Sequence, residues 1–220
     1  MPLLKDLSRR IRYGEPITVI SGLPRSGTSM AMKMVEAGGL KVCTDNQRRP
    51  DEDNPKGYYE VERVKNLRNE SDKSWLREAR GKAIKVISSL LPELPPDNFY
   101  KVVFLNRDLD EVIASQNKML ERRGEPLAQD DEQIKEHFRN HLQNVKAWLK
   151  RQPNFEVLEV NYREVVQNPA EQAAQIQRFL GRKLDTARMA AAIDPALYRN
   201  RAQNSNPTEA LSQPPVHTTR

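Results

Sequence analysis

The stretch that most constrains the fold is VISGLPRSGTSMAMKM, residues 19–34. It joins a short apolar, β-branched run to a segment whose apolar residues follow helical spacing, and Gly22 and Gly27 stand between the two. In a unit made of strand, glycine loop and helix, the amides of the loop and of the first helical turn point at one place. The sequence therefore predicts an anion-binding loop between the two segments.

This loop departs from the nucleoside-triphosphate pattern G-x-x-x-x-G-K-[ST] at its lysine. Gly22 and Gly27 have the required spacing, but Thr28 stands at the position of the lysine. Arg25 restores a positive charge from another position in the loop, and its forked guanidinium can hold two oxygens of a phosphate or of a phosphosulfate. The loop alone is therefore compatible with a kinase and with other enzymes that bind anionic nucleotides.

Strand and helix patterns alternate along the chain. Strands are predicted at 16–20, 82–87, 100–106 and 155–161. Most of these runs are apolar nearly throughout, which is typical of a parallel sheet covered on both faces. Helices are predicted between and after them, at 29–37, 60–69, 74–81, 109–124, 130–151, 169–181 and 185–193. We expect an α/β fold of three layers, with a mostly parallel central sheet flanked by helices and right-handed crossovers.

Length and composition indicate one soluble domain. The chain has 220 residues, of which 37% are apolar and 30% charged. We expect a single domain over residues 1–202 and a flexible tail over residues 203–220, which is polar and contains prolines. No window approaches the about 18 apolar residues of a membrane span, and the first residues lack the apolar core of a secretion signal. With the single Cys43, these features predict a cytoplasmic protein.

The net charge of +6 favours an anionic partner. The basic residues are spread along the chain and do not alternate with aromatic residues as they do on a base-stacking surface. A nucleotide or another small anion is therefore favoured over a nucleic acid.

Two motifs resemble those of sulfotransferases that use 3′-phosphoadenosine 5′-phosphosulfate (PAPS). PRSGTS, at 24–29, is similar to their 5′-phosphosulfate loop, P-[KR]-S-G-[TS]-[ST]. VVFLNRDLDEVIASQ supplies Arg107 after a strand and Ser115 eight residues later, which resembles the family's pair of ligands for the 3′-phosphate. The resemblance implies PAPS as donor and a P-loop fold, with the 5′ end held by Pro24, Arg25, Ser26, Gly27, Thr28 and Ser29.

The resemblance extends over about residues 17–201. VNYREVVQNP resembles the family's strand-end tyrosine, which implies that Tyr162 borders the nucleotide. DPALYRNR, like NPKGYYE earlier in the chain, resembles a bacterial-type subgroup, and implies that Arg199 and Arg201 close over the 3′-phosphate.

The resemblance also implies catalytic roles. Lys85 corresponds to the lysine that approaches the bridging oxygen, and Arg25 neutralises charge on the phosphosulfate. The histidine that many members have two residues after this lysine is replaced by Ile87. Other sulfotransferases use a glutamate, so Glu60 is our first candidate for the base and Asp45 the second. His137 and His141 stand one helical turn apart, a spacing we assign to solvated or capping side chains.

Two other hypotheses stay open. In a magnesium-dependent small-molecule kinase, Ser29 and Asp108 would hold the metal, whereas a sulfotransferase is expected to need no metal. In a degenerate nucleotide-binding protein the catalytic base would be lost. Ile87 favours this hypothesis, because it stands where many members of the family have a histidine. The resemblance implies transfer to a hydroxyl or amine of a small molecule or a glycan, and the sequence favours no particular oligomeric state.

Overall fold

The computed structural model describes residues 2–45, 57–127 and 130–194, and has the predicted alternation of strands and helices. The strands are β1 (Ile17–Gly22), β2 (Ala83–Lys85), β3 (Tyr100–Asn106) and β4 (Phe155–Asn161). The helices are α1 (Pro2–Tyr13), α2 (Thr28–Ala37), α3 (Glu62–Lys65), α4 (Leu109–Arg123), α5 (Asp131–Leu149), α6 (Tyr162–Gln167), α7 (Pro169–Leu180) and α8 (Thr186–Ala191). Two 3₁₀ helices, Ser74–Ala79 and Ser88–Glu93, flank β2.

The four strands form one parallel sheet in the order β2-β1-β3-β4. The register pairs Gly22 with Leu105 across β1 and β3, so the strand before the anion-binding loop and the strand before Arg107 end side by side. Every residue of β1 is buried, and so is all of β3 except Asn106. The predicted parallel sheet with apolar central strands is confirmed. The edge strand β4 is more exposed, since only Phe155 and Val160 are buried and Val157, Glu159 and Asn161 are exposed.

Two apolar cores lie on opposite faces of this sheet and give the fold three layers. Successive residues of β3 point to opposite faces, so Val102 packs with the 3₁₀ helices and α5. Val103 packs with α2, α7 and α8 on the other face. The prediction of helices on both faces of a central sheet is confirmed, and the carboxyl ends of all four strands meet at one edge, where ligands bind in open α/β sheets.

Between β1 and β3, two predicted helices and one predicted strand differ from the structure in length or type. The predicted helix at 60–69 is only α3. It starts at Glu62, whose amide donates to a carboxylate oxygen of Asp45 at 2.6 Å, while Val61 just before it is extended. The predicted helix at 74–81 is a 3₁₀ turn. The strand predicted at 82–87 ends at Lys85, because the chain then turns into the 3₁₀ helix that buries Leu90 and Leu91.

Two helices were not predicted at all. In α1, Arg9 forms an ion pair with Glu156 and lies over the Phe99 ring. Helix α6 follows β4 without a loop, because the Asn161 side chain accepts a hydrogen bond from the Arg163 amide and caps the new helix.

Some predictions fall outside the described residues. Arg199, Arg201 and the predicted tail at 203–220 lie there, as does most of the polar stretch at 44–57. Within the described part of the chain, no helix combines the length and the apolar composition that crossing a membrane requires.

Candidate active site

The anion-binding loop is held tightly between β3 and α6. Gly22 has a φ of 148°, and a Cβ atom there would lie 2.6 Å from the carbonyl oxygen of Leu105. Gly27 has a φ of 99°, and a Cβ atom there would overlap the ring of Tyr162. Since both contacts require glycine, the loop follows one path from the sheet into α2.

The inside of this loop suits an anion. Gly27 precedes α2 and offers no side-chain acceptor, so no described side chain caps the amides of the first helical turn. Thr28 and Ser26 are buried, and the Ser26 hydroxyl has no hydrogen-bond partner among the described residues. Ser29 is half-buried and Pro24 is exposed. A ligand oxygen would complete the hydrogen bonding of these donors.

Arg25 links the loop to the neighbouring strand and helix. Its backbone has a φ of 67°, in the left-handed region that costs a non-glycine residue about 1–3 kcal/mol. Its carbonyl oxygen accepts a hydrogen bond from Arg107 Nη1 at 3.0 Å. Its own Nε donates to the Ser115 hydroxyl at 3.1 Å. Arg107 and Ser115, which the sequence predicted to share one ligand, thus both touch the same residue of the loop.

Arg107 is fixed from three sides. It follows directly after the central strand β3, and its side chain is only 8% exposed. Its Nε donates to a carboxylate oxygen of Glu111 at 3.0 Å, one helical turn later. Its guanidinium lies over the ring of Tyr162, 4.3 Å from the centroid. The structure therefore brings Arg25, Arg107, Ser115 and Tyr162 into one cluster.

Lys85 is the centre of a second cluster at the same edge of the sheet. It is the last residue of β2, and its amine donates to the Tyr58 carbonyl at 2.9 Å and to the Ser29 hydroxyl at 3.3 Å. The same amine lies 3.5 Å from Glu60 Oε1. Tyr59, between Tyr58 and Glu60, has a φ of 52°. The described residues thus contain two non-glycine residues with positive φ, Arg25 and Tyr59, and each belongs to one of the two clusters.

The two candidate bases have different surroundings. Glu60 binds Lys85 through Oε1 and Lys65 through Oε2, the latter at 3.2 Å. Asp45 uses its carboxylate for the Glu62 amide, so it serves the start of α3. The carboxylate of Asp108 similarly caps α4, by accepting bonds from the amides of residues 110 and 111.

Three residues in these clusters were missed by the sequence analysis. Glu111 stands four residues after Arg107, a spacing that could have indicated an ion pair. Arg163 reaches the other oxygen of Glu111 at 3.5 Å, and Tyr58 contributes a backbone carbonyl to Lys85. The contacts of Arg163 and Tyr58 depend on tertiary structure, and no local pattern marks them.

The two described histidines do not behave alike. His137 is exposed, as expected for a solvated side chain. His141 instead lies 2.9 Å from the buried Ser88 hydroxyl, across the turn that follows β2. The expectation of a solvated or capping role is wrong for His141, because α5 packs directly on this turn. The described residues contain no group of three or more His, Cys, Asp or Glu side chains suited to a metal ion.

Comparison with known families now identifies the class. Residues 15–212 match the family described as the sulfotransferase domain, and since this is most of the chain, the chain belongs to that family. Transfer of a sulfuryl group is therefore its general reaction. A search of curated proteins gave no match.

Similar solved structures include three bacterial proteins. A sulfotransferase from Alicyclobacillus acidocaldarius is 16% identical, with a TM-score of 0.47, and the match covers 84% of this chain and 99% of that one. The sulfotransferase domain of the Synechococcus PCC 7002 olefin synthase is 17% identical, with a TM-score of 0.48 and coverage of 87% and 90%. A sulfotransferase domain from the curacin biosynthetic pathway is 12% identical, with a TM-score of 0.48 and coverage of 86% and 92%.

The position of His141 leads to a prediction about pH. Burial lowers the pKa of His141 below its ordinary value of 6.5, with smaller contributions from the charges of His137 and Arg68. The unfolded chain therefore takes up a proton on His141 at a higher pH than the folded chain does. The free energy of unfolding consequently decreases as the pH falls below about 6.5, and this decrease ends once the pH is below the folded-state pKa. We expect His141→Gln to reduce the drop in Tm between about pH 7.5 and about pH 5.5.

Nuclear magnetic resonance of the imidazole signals, together with thermal unfolding at each pH, measures this effect. His137→Gln is the control, and its effect on the pH dependence is expected to be smaller. The interpretation is wrong if His141 titrates at or above about 6.5 and its substitution leaves the pH dependence of Tm unchanged.

Proposed function

We propose that this protein transfers the sulfuryl group of PAPS to a hydroxyl or amine of a small molecule or a glycan. The observation that carries the proposal is the pair of bonds from Arg107 to the Arg25 carbonyl and from Arg25 to the Ser115 hydroxyl. These bonds join the loop suited to the 5′ end of the nucleotide with the two residues suited to its 3′-phosphate.

The 3′-phosphate is what distinguishes PAPS from ATP and AMP. Arg107 supplies a planar guanidinium and Ser115 a hydroxyl, both at the carboxyl edge of the sheet and both bound to Arg25. A guanidinium and a hydroxyl held this close can donate to the same phosphate. Tyr162, beneath Arg107, adds an aromatic surface beside the site. Arg199 and Arg201 stay proposed ligands on the strength of the sequence resemblance.

The residues of the loop fit the 5′ end of this donor. The first-turn amides of α2, the buried hydroxyl of Ser26 and the hydroxyls of Thr28 and Ser29 are donors without a capping carboxylate among the described residues. Arg25 and Lys85 add positive charge on two sides of the same loop. When bound, PAPS supplies the sulfuryl group and leaves as adenosine 3′,5′-bisphosphate.

Sulfuryl transfer places its main demands on electrostatics and on proton transfer, as phosphoryl transfer does. We assign the first demand to Lys85, because its side chain is only 10% exposed and its amine donates to the Ser29 hydroxyl of the loop, so its charge is little screened by water. We assign the second demand to Glu60, whose carboxylate lies 3.5 Å from that amine and therefore beside the position proposed for the transferred group. We assign the base to Glu60 and not to Asp45, whose carboxylate serves the amide of Glu62.

The contacts of the supposed magnesium ligands weigh against a kinase. The Ser29 hydroxyl accepts a bond from Lys85 and donates to the Tyr58 carbonyl, and the carboxylate of Asp108 caps α4. A degenerate nucleotide-binding protein would bind adenosine 3′,5′-bisphosphate without any turnover, so turnover on an acceptor separates it from our proposal.

The donor assignment predicts a specific ligand preference. Adenosine 3′,5′-bisphosphate should stabilise the wild-type protein by about 2.7–4.1 kcal/mol at about 100–1,000 times its Kd, and more strongly than AMP or ATP with magnesium. Arg107→Ala should abolish the preference over AMP, because the charge next to the 3′-phosphate is lost. Thermal-shift titration with all three ligands measures both effects.

Two further variants make this titration decisive. Ser115→Ala should weaken the preference less than Arg107→Ala, and Arg123→Ala, at the exposed end of the same helix, should leave it unchanged. The donor assignment fails if ATP with magnesium stabilises the protein most, or if Arg107→Ala leaves the preference for the bisphosphate intact.

The assignment of the base predicts a loss of turnover. Glu60→Gln should lower kcat by about 100- to 10,000-fold, the usual contribution of a general base, while the affinity for adenosine 3′,5′-bisphosphate stays within about threefold, because the carboxylate lies beside Lys85 and Lys65 and away from the cluster proposed to hold the 3′-phosphate. Radiolabelled PAPS with a panel of phenols, alcohols, amines and sugars identifies a usable acceptor. The kcat of Glu60→Gln is then compared on this acceptor with the kcat of Asp45→Asn and of the wild type. If Asp45→Asn loses as much kcat as Glu60→Gln, or if Glu60→Gln retains wild-type kcat, Glu60 is not the base.

A further inference from the structure

A buried carboxylate bridges two arginines beside the predicted 3′-phosphate site. The side chain of Glu111 is only 2% exposed. One of its oxygens accepts a hydrogen bond from Arg107 Nε at 3.0 Å, and the other lies 3.5 Å from Arg163 Nη2. The two guanidinium groups come from different elements, since Arg107 follows β3 and Arg163 belongs to α6.

The burial of Glu111 is not explained by the helix that contains it. An acid in the first turn of a helix interacts favourably with the helix dipole from an exposed position. Asp110, one residue earlier, is such an acid, since its side chain is 61% exposed and pairs with Lys135. Removing a carboxylate from water carries a free-energy cost that is offset only where the carboxylate is paired and hydrogen-bonded. The contacts with both arginines provide this compensation for Glu111.

The charges in this cluster show why a second arginine matters. Glu111 neutralises Arg107, so that pair alone has no net charge with which to attract a phosphate. Adding Arg163 leaves the three residues with a net charge of +1. A phosphate monoester carries a charge of about −1.5 to −2 at neutral pH, and arginine forks bind its oxygens well.

The two arginines also differ in exposure. The side chain of Arg107 is 8% exposed and is held by Glu111, by the Arg25 carbonyl and by the Tyr162 ring. The side chain of Arg163 is 37% exposed and follows Tyr162 directly in the chain. A ligand beside Tyr162 can therefore reach the partly exposed Arg163 as well as Arg107, which Glu111 and the Arg25 carbonyl hold in place.

We propose that Arg163 is a further ligand of the 3′-phosphate and that Glu111 is the positioning residue that holds Arg107 and Arg163 side by side. The proposal rests on the proposed PAPS function and adds Arg163 and Glu111 to the residues that set its nucleotide specificity. Glu111 makes no contact with the phosphate itself, because its carboxylate would repel the ligand.

Calorimetric titration with adenosine 3′,5′-bisphosphate and with AMP tests this proposal. Arg163→Ala should weaken binding of the bisphosphate by about 10- to 100-fold, the range for a lost charged hydrogen bond, and change AMP binding by less than about threefold. Arg163→Lys should recover part of the loss, because it restores the charge without the fork. Arg139→Ala, an exposed arginine on α5, is the matched control and should change neither affinity.

Glu111→Gln tests the positioning role. It should lower the ratio of bisphosphate affinity to AMP affinity by about 10-fold, because the amide no longer holds both guanidinium groups by charge, while AMP binding persists. Asp110→Asn, the adjacent exposed acid, should leave the ratio unchanged. If Glu111→Gln fails to fold, the two Arg163 variants decide the question, since that side chain is partly exposed.

The possible outcomes separate this proposal from the function on which it rests. If the wild-type protein does not prefer the bisphosphate over AMP, both fail. If the wild type prefers it and Arg107→Ala removes the preference, but Arg163→Ala keeps the affinity within twofold, the PAPS function stands and the role of Arg163 is wrong. If Arg163→Ala weakens both ligands equally, Arg163 does not read the 3′-phosphate and the proposal is overturned.

Discussion

The hydrogen bond from Arg107 to the carbonyl oxygen of Arg25 is the contact on which the candidate site depends. It connects the end of the central strand β3 with the loop that follows β1, at a point where Arg25 has a left-handed backbone. Such a conformation persists only where surrounding contacts hold it, and the contact between Arg25 and Ser115 adds to this constraint. The loop proposed to hold the 5′ end of the nucleotide and the residues proposed to hold its 3′-phosphate are therefore joined by direct hydrogen bonds.

The parallel sheet brings the residues of the candidate site together. Because β1 and β3 are neighbours in register, the loop after one strand and the arginine after the other lie at the same edge. β2 pairs with β1 on its other side and brings Lys85 to that edge as well. The fold thus brings both an arginine cluster and a lysine with its carboxylate to the same loop, which fits the donor and acceptor sites that we propose.

The sequence predicted the central elements because their signals are local. The glycine spacing around Arg25 and the apolar run before Arg107 specify strand, loop and helix without tertiary information. The sequence was less informative where tertiary contacts decide the structure. The bond from the Glu62 amide to Asp45 sets the start of α3, and the ion pair between Glu111 and Arg163 joins residues 52 positions apart in the chain. His141 was misjudged for the same reason, since the buried Ser88 that it contacts precedes it by 53 positions.

A crystal structure of the protein with adenosine 3′,5′-bisphosphate tests the proposed site most directly. We expect the 5′-phosphate on the amides of residues 26–29 and the 3′-phosphate within hydrogen-bond distance of Arg107 and Ser115, with the bond between Arg107 and the Arg25 carbonyl retained. A nucleotide bound with its 3′-phosphate in solvent, away from Arg107, would show that the proposed 3′-phosphate site is wrong.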